Sequence, residues 1–290
     1  MASLNPSLKH PSLKLSGLFI YPIKSAAGIQ INRATLTPRG LEGDRRYMVV
    51  TPDGHFMTQR RFPKMALIQV SLLNATDLKL SALGMPELRV SIPGKAEGEL
   101  DVEVWGDRTS AVSCGSEADA WFSHFLKAPC QLVHMPDSSK RPIDHGKLGA
   151  NEIVSFADAY PYLLLSEASL AGLNQKLSDQ QLAPVSMNRF RPNLVISGEL
   201  APHAEDDWQR IRIGEVTFTV AKPCARCSVP NVNQETGDRT KEPSRTLATY
   251  RAWDKEIWFG QNLIQETSDP QNLIANIGVL NVGDEVEILA

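Results

Sequence analysis

The sequence predicts a mainly β protein with a few helices (α+β), an N-terminal barrel-like β domain followed by a second β-rich domain. Short apolar segments recur about every ten residues with turn residues between them, as in barrels and sandwiches. Only two stretches carry a helix start followed by helical apolar spacing. A polar stretch at 137–151, holding Pro142, Gly146 and Gly149, reads as a linker. The expected layout is a flexible tail at 1–14, an N-terminal β domain at 15–136, the linker, and a second domain at 152–290.

At 290 residues the chain is long enough for two cores. Hydrophobic residues make up 42% and charged residues 22%, ordinary values for a globular protein. The net charge of −3 gives no basic field, so nucleic acid is not an expected partner. Four irregularly spaced cysteines do not form a disulfide framework, which points to a reducing, cytoplasmic setting. No run of 18 apolar residues is present, so no membrane span is expected. The first acidic residue is Glu42, but residues 1–14 lack arginine and an apolar core, so they read as a tail and not a targeting peptide.

Taken in order, residues 15–23 alternate as a strand stopped at Pro22, delivering Lys24 and Ser25 onto a loop closed by Gly28. A strand at 34–37 runs into the turn Pro38-Arg39-Gly40. Gly43-Asp44-Arg45-Arg46 precedes a strand at 47–50 and the turn Pro52-Asp53-Gly54. Strands follow at 67–73, 78–80, 88–92 and 100–104. Ser116-Glu117-Ala118-Asp119 looks like a helix start, with Trp121, Phe122, Phe125 and Leu126 forming one apolar face. In the second half an apolar run at 162–165 leads to Ser166-Glu167-Ala168-Ser169, which caps a helix reaching about residue 177. Arg191-Pro192-Asn193 precedes a strand at 194–197. A hairpin at 211–220 leads to Pro223, which is expected to stop the ladder because proline has no N–H. Residues 228–246 form a long polar excursion, of a length usually functional or mobile, and a strand at 284–289 closes the chain.

Cys224-Ala225-Arg226-Cys227 therefore falls on a loop at the end of a hairpin. A neighbouring guanidinium favours the thiolate, the form that binds metal or attacks. Several chemistries share this spacing. A structural zinc needs four ligands, and neither Cys114, Cys130 nor the scattered histidines supply a second knuckle. A dithiol redox motif usually opens a helix, whereas a hairpin precedes this one. Two inert cysteines also fit. Lys24, Arg45, Arg191 and Arg226 each lie at a strand end or loop, and together they would suit a phosphate. Asp158, between Phe156 and Tyr160, reads as a proton donor, a cofactor contact or an acceptor for loop N–H groups, and the residues alone favour the last.

As an ordered set, several segments resemble the MOSC family of molybdenum-cofactor proteins, preceded by the β-barrel domain that accompanies many members. They are Tyr21-Pro22-Ile23-Lys24-Ser25, Gly43-Asp44-Arg45, Phe156-Ala157-Asp158, Ser166-Glu167-Ala168-Ser169-Leu170, Phe190-Arg191-Pro192-Asn193, Cys224-Ala225-Arg226-Cys227, Phe259-Gly260-Gln261-Asn262 and Val282-Gly283-Asp284. Within that family the chain is similar to the amidoxime-reducing component and to bacterial proteins that detoxify N-hydroxylated bases.

The resemblance implies a C-terminal MOSC β-barrel with molybdenum ligated by Cys227. It implies that Lys24, Ser25, Arg45, Arg191, Asn193 and Arg226 surround the pterin and its phosphate, with Asn262 a further contact. Asp158 falls near the metal as a second catalytic candidate. The implied activity is reduction of hydroxylamines, amidoximes or N-hydroxylated bases; a non-catalytic carrier of cofactor or sulfur is the alternative. The expected cofactor is molybdenum–molybdopterin, with no pyridoxal phosphate. No Fe–S cluster is expected either, since the ferredoxin cysteine spacing is absent. Electrons would then come from a separate donor, a flavin reductase, a ferredoxin-like protein or a cytochrome. Ala225 departs from the serine often found in relatives, which removes one hydroxyl contact. No membrane anchor is expected.

Overall fold

Leu13, Leu15, Leu18 and Ile20 of the first strand are all buried, although strict alternation would turn two of them outward. A bulge between Leu15 and Gly17 resolves this, because one extra residue switches which side chains face inward. The computed structural model describes residues 13–74, 76–94, 98–143, 152–266 and 278–290. Residues 1–12 of the predicted tail and 144–151 of the predicted linker lie outside the described residues, whereas Leu13 and Lys14, expected in the tail, begin the first strand and pair with Val286 and Glu285.

The first half contains β1 (Leu13–Ile20), β2 (Ile29–Ile31), β3 (Arg33–Thr37), β4 (Gly40–Leu41), β5 (Tyr47–Val50), β6 (Gln69–Leu72), β7 (Asp77–Ser81), β8 (Leu88–Ser91), β9 (Glu99–Val104), β10 (Asp107–Ser113), helix α1 (Ser116–Leu126) and β11 (Gln131–His134). The second contains β12 (Tyr162–Ser166), α2 (Glu167–Asp179), β13 (Leu194–Ser197), β14 (Arg210–Ile213), β15 (Val216–Ala225), α3 (Ser244–Ala248), β16 (Ala252–Trp253), β17 (Glu256–Gln265), β18 (Gly278–Asn281) and β19 (Glu285–Ile288).

Seven of the described strands close a barrel in the order β12-β13-β1-β19-β14-β15-β17, with β17 pairing back to β12. Its interior holds period-two pairs such as Leu194 and Ile196, Ile211 and Ile213, and Tyr162 and Leu164. The β12–β13 pair is parallel, so it needs a crossover, and α2 supplies it. Ser166 caps α2 as expected, its hydroxyl accepting from the Ser169 N–H at 3.0 Å.

Beside the barrel lie a half-barrel with the sheets β5-β11-β10-β9 and β6-β7-β8, α1 lying against β11 and β8, and a further sheet β18-β3-β4. Trp121, Phe122 and Leu126 of α1 are buried as expected, each contributing roughly 1.5–3 kcal/mol. The start of α1 differs from expectation. Gly115 occupies the cap with no side-chain bond, and the Asp119 carboxylate instead accepts from the Leu132 N–H at 2.9 Å. Strand β10 has no counterpart among the expected strands, since Asp107-Arg108-Thr109-Ser110 masks the alternation.

The ladder also runs past Pro223. Strand β15 continues to Ala225, with Pro223 opposite Gln261 and register shifts on either side. The missing N–H is tolerated because bulges flank it and its carbonyl accepts from Asn262 Nδ2 at 3.2 Å. Cys224 is therefore a strand residue, and only Cys227 lies on the loop beyond.

Candidate functional site

A cleft of about 240 Å³ opens where the barrel rim meets the half-barrel. All nine sequence-predicted residues line it: Lys24, Ser25, Arg45, Asp158, Arg191, Asn193, Arg226, Cys227 and Asn262. A larger cavity of about 640 Å³ lies between the barrel rim and β6–β8 and contains none of them. The smaller cleft is the chemically distinctive one.

Seven of its nine predicted residues come from four segments, while Asp158 lies on the stretch before β12 and Asn262 on β17. The continuation of β1 brings in Lys24 and Ser25, and the turn before β5 brings in Arg45. The residues leading into β13 supply Arg191 and Asn193, and the end of β15 supplies the cysteines. Ser25, Arg45 and Arg191 all sit in the left-handed region, with φ of 69, 49 and 57°. That backbone conformation disfavours non-glycine residues and tends to collect at functional sites.

Tyr21 is the hub of the basic end. The Arg45 guanidinium lies 4.5 Å and that of Arg191 4.2 Å from its ring centre, and its hydroxyl donates to Pro192 O at 3.0 Å. Burial pushes the Tyr21 hydroxyl up to about 12, so it stays protonated. Arg45 donates to Asp44 at 2.6 Å and to Asn193 Oδ1 at 2.8 Å. Burial works against its charge, but Asp44 outweighs that and moves its pKa upward. Asn193 also donates through Nδ2 to Phe19 O at 3.1 Å, so it braces Arg45 against β1.

The Arg191 side chain donates through Nη1 to Ala26 O at 2.7 Å, and its Nη2 is buried without a partner among the described residues. Burial lowers its pKa to about 10, which leaves it charged at neutral pH. Arg226 donates to Phe190 O at 2.8 Å and to Cys224 Sγ at 3.2 Å, while its Nε is buried and unpartnered. The guanidinium between the cysteines thus faces Cys224, and Cys227 stands half-buried on the loop.

At the other end, the buried Lys24 ammonium donates to Phe156 O at 2.6 Å and to the Asp158 carboxylate. Burial lowers the Lys24 pKa and Asp158 opposes the shift. Asp158 also accepts from Trp105 Nε1 at 3.1 Å, and Arg60 lies 3.7 Å away. Partial desolvation favours its neutral form, but Lys24 and Trp105 outweigh this and hold the carboxyl below the usual range. Its side chain is 59% exposed. As placed here Asp158 is an acceptor for Lys24 and Trp105 and not a proton donor.

Arg60, Lys222 and Trp105 were not foreseen. Arg60 and Lys222 line the cleft, and the Arg60 guanidinium lies 4.2 Å from the Trp105 ring centre. The cleft lining therefore carries six cations (Lys24, Arg45, Arg60, Arg191, Lys222 and Arg226) against one carboxylate, Asp158. Such a surplus, with guanidinium N–H groups left unmade, suits an anion. Among the described residues no group of three or more His, Cys, Asp or Glu is placed to hold a metal ion, and no helix is long and apolar enough to cross a membrane.

Comparison with known proteins gives a consistent picture. Residues 12–129 match the MOSC N-terminal beta barrel domain and residues 151–287 match the MOSC domain. The chain is 36% identical to mitochondrial amidoxime-reducing component 1 of Mus musculus, over 94% of this chain and 81% of that protein. The Homo sapiens counterpart is 33% identical, over 94% and 82%. Molybdenum cofactor sulfurase of Danio rerio is 34% identical over 89% of this chain. That match covers 32% of the sulfurase, so the chain spans about a third of its length. With both domain matches and amidoxime-reducing relatives aligned along about four-fifths of their length, this chain belongs to the MOSC family, its MOSC domain preceded by a MOSC N-terminal β-barrel domain.

Proposed function

We propose that the cleft binds a molybdenum cofactor and that the protein reduces N-hydroxylated compounds, namely hydroxylamines, amidoximes and N-hydroxylated bases. The observation that carries this reading is a set of three cleft guanidinium N–H groups, on Arg60, Arg191 and Arg226, that are buried without a partner among the described residues, beside a half-buried cysteine. A buried donor left unmade costs about 1–3 kcal/mol, so these groups call for an anionic acceptor, and a pterin phosphate supplies one. Cys227 offers the soft thiolate that suits a molybdenum already held by cofactor sulfurs. The family membership and the named relatives tie the chain to molybdenum-cofactor chemistry.

When bound, the molybdenum–dithiolene group supplies the two-electron chemistry that removes oxygen from nitrogen. Overall, N–OH becomes N–H, consuming two electrons and two protons and releasing water. The electrons come from a separate donor protein, of flavin-reductase, ferredoxin-like or cytochrome type. The chain's own residues bind and orient. Arg191 and Arg226 would hold the phosphate, with Ser25 and Arg45 beside them. Asn193 keeps Arg45 in place, and Asn262 pins the end of β15 through Pro223 O. Asp158 pairs with Lys24 in the cleft wall and opposes the fall that burial imposes on its pKa.

Cys227→Ala should lose molybdenum and activity together, while Cys224→Ala should retain the metal. Elemental analysis and pterin assay on the same sample, with conversion of an aryl amidoxime to its amidine under a chemical reductant, check this. Full molybdenum and full turnover in Cys227→Ala would contradict the assignment. The likeness to cofactor sulfurase favours a second reading, a carrier of cofactor or sulfur. Loaded protein that yields no amidine in the same assay selects the carrier.

A further inference from the structure

Gln59 is wholly buried, beside Arg60 in the cleft wall, and its amide joins two segments from opposite halves of the chain. Its Nε2 donates to Ser25 O at 2.8 Å, holding the carbonyl of a residue fixed at φ +69°. The same nitrogen donates to Gln234 Oε1 at 3.1 Å, and Gln234 Nε2 donates back to Gln59 Oε1 at 2.9 Å. Gln234 Nε2 also donates to Val232 O at 3.0 Å. The Gln59 backbone carbonyl accepts from Arg239 Nη2 at 3.0 Å, and Val232 bridges to Arg239 within that segment. The segment following Cys227 is thus tied twice to the residue that holds the Ser25 loop.

We infer that Gln59 and Gln234 form a latch setting the spacing between the Ser25 loop and the segment after Cys227, so that cofactor retention depends on two positioning residues outside the ligand set. The chemistry of the pair fits the task. A reciprocal amide pair carries no charge, so it leaves the surrounding guanidinium groups free for a phosphate, whereas a carboxylate here would compete for them. Each amide satisfies the other, so removing one leaves buried donors and acceptors unmade on its partner. The two ends should therefore loosen together. The inference rests on the molybdenum reading for its consequence alone, since the latch itself is measurable in the cofactor-free chain.

The test is hydrogen exchange by mass spectrometry on the full cofactor-free chain, in wild type, Gln59→Ala, Gln234→Ala and the double variant. Molybdenum release during dialysis is measured on the loaded proteins. Gln234→Ala should speed exchange in the Ser25 loop, and Gln59→Ala in 229–240, each by roughly tenfold. The double variant should be no faster than the singles, and molybdenum should leave the variants several-fold faster. Gln234→Ala alone carries the test if Gln59→Ala does not fold. Variants that loosen only their own segment, or a double variant equal to the product of the singles, overturn the latch. Coupled exchange with unchanged molybdenum release overturns its link to the cofactor. Coupled exchange in a wild type that takes up no molybdenum leaves the latch standing and removes the cofactor reading instead.

Discussion

Arg191 shows what the cleft asks of a single residue. It is a buried cation in a left-handed backbone conformation, with one N–H donated to Ala26 O and another unpartnered among the described residues. A non-glycine residue there costs on the order of 1–2 kcal/mol, so the side chain is what the position requires. Arg191→Lys keeps a cation but loses the planar fork and the contact with Tyr21. Retention of the phosphate-bearing pterin should fall by roughly ten- to a hundredfold. The pH response should change as well. Burial holds Arg191 at about 10, so wild-type retention should be flat around neutral pH. A lysine starts from a lower pKa and is pushed down by the same burial, so the variant should regain cofactor as pH falls and its ammonium protonates. Equilibrium dialysis across neutral pH checks this, and a flat profile in the variant would refute it. Cations in short motifs, such as Arg191, were legible because glycine, proline or serine neighbours mark them as loop positions, whereas Asn193 entered only through the family resemblance. Trp105 and Gln59 were not. Trp105 sits at the tip of the β9–β10 hairpin and reaches Asp158 only through the fold, and β10 itself leaves little alternation to read.

The start of α2 carries an element-scale dependence of the same kind. Ser166-Glu167-Ala168-Ser169 correctly announces the cap, yet the acid that completes it is Glu205 and not Glu167. The buried Glu205 carboxylate accepts from Ser166 N at 3.2 Å, Ser166 Oγ at 2.9 Å and Ser169 Oγ at 2.7 Å, and Ser169 Oγ accepts in turn from His203 N at 2.7 Å. Placing a negative charge at a helix N-terminus is favourable, and hydrogen bonds to a charged group contribute about 1.5–3 kcal/mol. Glu205→Gln turns an acceptor into a donor against two hydroxyls and should lose roughly 2–3 kcal/mol. Urea unfolding checks this; an unchanged midpoint would mean that the hydroxyls can reverse at no expense. Because α2 joins β12 to β13, the loss should also loosen the approach of Arg191 and Asn193 to the cleft. Elsewhere the local signals were outvoted by long-range bonds. Asp119 turns from its own helix to Leu132 N, and Pro223 stays within β15 because Asn262 and the flanking bulges accommodate it.

For the molecule as a whole, chain order and sheet membership diverge. Strand β1 comes first, yet it pairs with β13 and β19 of the second half, and β18 pairs with β3. Nothing local announces this, since an alternating segment indicates that one face is buried but not which partner covers it. The consequence is that residues 152–290 lack one wall of their own barrel. Removing β1 leaves β13 and β19 with open edges, which invite association with other chains. It also withdraws Leu13, Leu15, Leu18 and Ile20 from the barrel core. At roughly 1.5–3 kcal/mol for each of those side chains, the loss is comparable to a typical whole-domain stability of about 5–15 kcal/mol. A fragment of 152–290 should therefore show no cooperative unfolding and should bind a hydrophobic dye. Fusing residues 13–37 after residue 290 through a flexible linker should restore a cooperative transition, because the fused strand can re-enter between β13 and β19. A sharp transition and dispersed amide signals from 152–290 alone would show that the barrel closes without its first strand, and the cleft wall carrying Lys24 and Ser25 would then be an addition to a self-sufficient barrel.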